Sequence, residues 1–184
     1  MKAEKIILGI VALGLLFKFL HWPGAGPILV VSVTSLAMLY LGGGFWFLQN
    51  KKEQQKRTAL AVAAGILFAI SCVGILFKLM YWPGAKAMLG LPLIGLPIIL
   101  AIVFYVKGKA DPKTEADNSL LIRVLAFSVV VIAFHFASNK DLLAIQYPND
   151  PEVVRIKSNY FDHPENGAYE KEYKEYMETQ RRKK

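Results

Sequence analysis

The sequence predicts an all-α membrane bundle: a tandem, parallel repeat of a two-helix hairpin, then a fifth membrane helix and a C-terminal tail. Three observations point there. Hydrophobic residues make up 54% of the chain, the mean hydropathy is positive, and the charges sit in short blocks between long apolar runs. Those runs approach the length of roughly 20 residues that crosses a hydrocarbon core about 30 Å thick. They also lack the polar face that a helix of a soluble protein presents to water. Finally, a motif of the first hairpin recurs in the second, in register.

Five runs qualify, over residues 6–20, 26–48, 59–80, 87–106 and 120–136. Each is expected to be a helix, because an open strand leaves its backbone groups unpaired in lipid. The first follows Lys2 and Lys5, as the apolar part of a signal sequence does. Pro27 is awkward beside a cleavage site at Gly24-Ala25-Gly26, and the same pattern returns internally, so an uncleaved first span is expected. The second run contains Gly42-Gly43-Gly44, and the third is rich in small residues, including Gly65 and Ala69 four apart, which suits close helix approach. The fourth holds Pro92 and Pro97, which are expected to kink it. The fifth has Arg123 near one end and His135 near the other, both able to reach toward headgroups. Domain boundaries are expected at 1–50 and 51–110 for the two hairpins, 111–138 for the fifth helix and 139–184 for the tail.

Lys and Arg in short loops set the orientation. Lys2 and Lys5, then Lys51, Lys52, Lys56 and Arg57 against Glu53, then Lys107, Lys109 and Lys113, fall on one side of five spans. That side is expected to be cytoplasmic, with the N-terminus there and the tail outside the cytoplasm.

The motif runs from Gly14 through Lys18 and His21 to Trp22-Pro23-Gly24-Ala25. Sixty residues on, it returns from Gly74 through Lys78 and Tyr81 to Trp82-Pro83-Gly84-Ala85, with eight of twelve positions identical. An even number of spans separates the copies, so they share one orientation, unlike an inverted transporter repeat. Pro23 and Pro83 stop the first helix of each hairpin, and Gly24 and Gly84 permit positive φ at a tight reversal. Trp22 and Trp82 suit the membrane interface. Lys18 and His21 are three apart and are expected to share a helix face, as are Lys78 and Tyr81. Each lysine either reaches to the headgroups as an anchor or faces the interior as a polar site.

This Lys-x-x-His-Trp-Pro-Gly-Ala hairpin resembles the N-terminal membrane hairpin of GldL, the inner-membrane motor subunit of the gliding and type IX secretion machinery of Bacteroidetes. The resemblance covers residues 14–48 and again 74–106. Lys18 and His21 match the family's membrane lysine and turn histidine; Lys78 matches in the second copy, where Tyr81 replaces the histidine. The family implies an oligomer with a partner that uses an intramembrane Glu of the second helix for proton flow. The stretch 35–41 has no acidic residue, Tyr40 being the nearest polar one, and none of the five runs contains Asp or Glu. The expected function is therefore an accessory or assembly component of a gliding-motility or type IX secretion complex in the bacterial inner membrane. The alternative is a small transporter or channel with a path lined by Lys and His.

The tail holds nine basic and nine acidic residues. A turn-rich linker over 147–151, a short extended piece at Val153, Val154 and Ile156, and a helix after Pro164 are expected, with Tyr169, Tyr173 and Tyr176 in one stripe. Cys72 lies in an apolar run and reads as a small hydrophobe, and the scattered His21, His135 and His163 give no metal-ligand spacing. No enzyme, no cofactor, no metal and no nucleic-acid partner is expected. The lipid bilayer is the expected partner, with a homo-oligomer or a membrane-protein partner beside it.

Overall fold

The structure is a computed structural model that describes residues 2–47, 58–108 and 118–182. These residues form eight helices. The five apolar runs appear as α1 (Lys2–Phe19), α2 (Ala25–Phe47), α3 (Thr58–Leu79), α4 (Ala85–Gly108) and α5 (Asn118–Phe136). The tail adds α6 (Asn139–Gln146), α7 (Pro151–Asp162) and α8 (Gly167–Arg182). The basic positions 51–57, 109 and 113 lie outside the described residues.

Among the described residues, three helices are long and apolar enough to cross a membrane, over Ala25–Gly42, Ala59–Leu79 and Ala85–Tyr105. A fourth qualifies only if α5 and α6 count as one broken span. α1 is shorter, with Lys2, Glu4 and Lys5 at its start and Lys18 near its end. The polar ends that make α1 and α5 marginal by composition become important at the candidate site.

The chain divides into two compact units, Met1–Met80 with Gly84–Phe136, and Tyr81–Pro83 with Ala137–Lys184. In the first, α1 packs on α2, α2 on α3, α3 on α4, and α5 on α4 and α3. Glycines let the two partners of each hairpin approach closely. A Cβ on Gly14 would stand 3.0 Å from the side chains of Ile28 and Leu29. A Cβ on Gly74 would stand 2.8 Å from Leu89, the residue equivalent to Leu29. Both leucines are fully buried. α4 remains one helix through Pro92 and Pro97. The hydroxyls of Ser32, Ser71 and Ser128 each donate to the carbonyl four residues back at 2.7 Å, which lets a polar group sit in an apolar interior without an unmet bond.

The second unit is more polar. Ser138 caps α6, accepting from the Asp141 amide while the Asp141 carboxylate accepts from the Ser138 amide, a reciprocal capping box. The expected extended piece at Val153, Val154 and Ile156 is instead buried on α7. Asp150 caps that helix by accepting from the Val153 amide at 3.2 Å, and Pro151 opens it with a φ already suited to a first turn. α8 packs on α7, where Tyr173 stacks on Tyr160 at 4.3 Å and Arg155 bonds Glu172 at 2.7 Å.

Candidate functional site

Two constellations combine polar side chains with defined geometry: the paired corners and a buried charge cluster at the start of α1.

The first corner is built by helix termination. α1 ends at Phe19, and His21 takes φ 56°, the left-handed conformation that usually favours glycine. The His21 amide donates to the Lys18 carbonyl at 3.3 Å, and the Trp22 amide donates to the Phe17 carbonyl at 2.9 Å. This is a Schellman cap, and its usual apolar contact is present: the Trp22 ring meets Phe17 edge-on at 4.9 Å. Pro23 follows, Gly24 takes φ 92°, and its carbonyl accepts from the Ile28 amide at 3.2 Å as α2 begins at Ala25.

The second corner repeats the two left-handed residues. Tyr81 takes φ 58°, Gly84 φ 89°, and the Gly84 carbonyl accepts from the Met88 amide at 3.0 Å as α4 begins at Ala85. Positive φ at both glycines was expected; left-handed His21 and Tyr81 were not. Because α1 and α3 end at Phe19 and Leu79, Lys18 with His21 and Lys78 with Tyr81 do not share a helix face. The two lysines also differ: Lys18 is half-buried, whereas Lys78 is 4% exposed. Trp22, Pro23, Trp82 and Pro83 are exposed, and Ala25 and Ala85 are buried. Within the second unit, Tyr81 stacks on Phe161 at 4.9 Å, nearly parallel, and its hydroxyl donates to Gln146 Oε1 at 3.2 Å. Burial, then Tyr147, pushes the Tyr81 phenol up to about 12, so it stays a neutral donor near pH 7.

The buried charge cluster is Glu4, Tyr40 and Arg123, from α1, α2 and α5. Glu4 Oε1 accepts from the Tyr40 hydroxyl at 2.7 Å, and Glu4 Oε2 accepts from Arg123 Nη2 at 2.8 Å. Glu4 is 7% exposed. Beneath it lies an aromatic plug. Tyr40 meets Phe68 and Phe127 edge-on at 5.4 and 5.5 Å, and Phe68 stacks on Phe127 at 4.4 Å. Edge-to-face packing sets ring edges against ring faces and fills space without a polar demand. Each Glu4 oxygen thus has a donor, and the Arg123 charge has a carboxylate, in surroundings that would penalise either charge alone.

Sequence reasoning began the first run at residue 6, which left Glu4 outside it, and read Arg123 as reaching for headgroups. The signal was present nonetheless. Glu4 and Arg123 each lie near the helix end on the side expected to be cytoplasmic, and Tyr40 sits far enough along α2 to reach the same depth. His135 Nδ1 is buried without a hydrogen-bond partner and Cys72 is a buried free thiol. Among the described residues, no group of three His, Cys, Asp or Glu side chains is placed to hold a metal.

No family model, no curated protein and no solved structure matches this chain.

Proposed function

We propose that this chain is a non-enzymatic, multi-pass protein of the bacterial inner membrane that serves as an accessory or assembly component of a GldL-type gliding-motility and type IX secretion complex. The observation that carries this reading is the duplicated corner. Lys, then His or Tyr, then Trp-Pro-Gly-Ala occurs twice with the same pair of left-handed residues. In this reading α1 to α5 all span, the N-terminus is cytoplasmic, both corners face the periplasm and the tail is periplasmic. The Glu4–Arg123 pair supports spans at α1 and α5, because it matches opposite charges within the bundle. Glu4 also explains how the chain differs from a motor subunit. Both of its oxygens are engaged, so it clamps three helices together where a proton-driven unit needs a carboxylate that is repeatedly neutralised and released.

The burial of Lys78 favours a second reading, a small transporter or channel with an interior cationic path. One experiment separates the two. The Lys18→Ala and Lys78→Ala variants are purified with folding checked, tested for ion flux in proteoliposomes, and tested for copurifying motility-complex proteins in mild detergent. The assembly reading expects unchanged flux and loss of partners. Flux in the wild type that disappears in Lys78→Ala, with partners retained, establishes transport instead.

A further inference from the structure

The internal repeat makes α1 and α3 equivalent, yet they are buried differently along one face. Leu8 is 45% exposed and its equivalent Phe68 is 0% exposed. Leu16 is 52% exposed and Leu76 3%. Phe19 is 48% exposed and Leu79 7%. Ala12 and Cys72 repeat the contrast. Positions 8, 12, 16 and 19 recur at helical spacing, so they make one continuous stripe on α1.

What covers the α3 stripe is on view. Phe68 receives Tyr40 from α2 and Phe127 from α5. Farther along, the Met80 methyl lies 3.4 Å from where a Cβ on Gly26 of α2 would stand. The second helix of one hairpin therefore packs across the first helix of the next. On α1 this place is open.

We infer that the Leu8–Ala12–Leu16–Phe19 face of α1 docks the second helix of another hairpin of this type, contributed by a different protein in the same membrane. A second copy of this chain is a poor occupant, because its own second helices are both engaged: α2 packs on α3, and α4 on α5. α5 closes the row of hairpins at one end and α1 leaves it open at the other. The chain is thus built as the terminal unit of a row. Small and apolar side chains suit this contact, since helix association within lipid rests on close packing. The inference names the partner class for the assembly role proposed above and rests on it for the partner's place in a complex.

The test uses the full-length chain in its native membrane. A photoreactive benzophenone amino acid replaces Leu16 or Phe19, and, as a control, Met38, which is 70% exposed on α2. After irradiation, adducts are mapped to the residue by mass spectrometry. The expected result is a protein adduct from Leu16 and Phe19, well above that from Met38, whose attachment site lies in the second helix of a hairpin bearing a Trp-Pro-Gly-Ala corner on another protein. Lipid adducts alone, as from Met38, overturn the inference. So does an adduct with another copy of this chain, or with a protein that lacks such a hairpin. An adduct with a hairpin protein that belongs to no motility or secretion complex upholds the docking surface and defeats the assembly role, so the two fail separately.

Discussion

Glu4→Gln is expected to destabilise the helical bundle by about 3–5 kcal/mol, the typical cost of breaking a buried ion pair by removing one partner. The change keeps the size of the side chain but leaves the Arg123 guanidinium beside a neutral amide, at a position where its side chain is 16% exposed. Arg123→Leu is expected to do comparable harm from the other side, by stranding Glu4 with only the Tyr40 hydroxyl. The double variant Glu4→Gln/Arg123→Leu removes both charges and is expected to recover most of the loss, because the desolvation penalty disappears with the pair. Thermal unfolding in mild detergent, read by loss of the monodisperse peak, measures all three. Single variants as stable as the wild type, or a double variant as damaged as the sum of the singles, would show that the pair does not hold α1 to α5.

Phe68→Ala is expected to cost a further roughly 3–5 kcal/mol, the range for truncating a buried aromatic side chain. Phe68 is fully buried and touches Tyr40 and Phe127, so its loss opens a cavity directly below the Glu4 cluster. Truncation at the equivalent place on α1, Leu8→Ala, is expected to change stability by no more than about 0.5 kcal/mol, as for exposed positions elsewhere. The comparison matters because the two sites are related by the repeat and differ in what covers them. Equal effects in the same detergent assay would mean that the purified α1 face is already occupied.

The helical architecture was legible because its cause is simple. Apolar runs of near-spanning length must satisfy their own backbone bonds, and α2, α3 and α4 begin and end within about two residues of the expected positions. The positive φ at Gly24 and Gly84 followed from the demand of a tight reversal after proline. The cap at His21 was harder to see, since glycine is the usual occupant of that position. α7 was missed for a different reason. Val153, Val154 and Ile156 are β-branched and sit in a short stretch, where extended and helical patterns look alike. The Asp150-Pro151 pair at their start was the helix signal that should have decided the matter.

The charge cluster was illegible for a deeper reason. Hydropathy treats each helix alone, so Glu4 and Arg123 each count as a boundary or a liability. Only tertiary packing, which brings α1 and α5 together more than a hundred residues apart, turns two liabilities into one neutral pair. The asymmetry between α1 and α3 has the same character. Their sequences are near copies at the corner, and what distinguishes them is what packs on each: α2 on α1, but α2, α4 and α5 on α3.

The whole account rests on two parallel hairpins whose corners reach the same side of the membrane. The most direct test replaces Cys72 by Ser, introduces Trp22→Cys or Trp82→Cys one at a time, and treats intact spheroplasts with a membrane-impermeant maleimide. Both exposed corners are expected to react from the outside without permeabilisation. If one corner reacts only after the membrane is opened, the parallel arrangement is wrong.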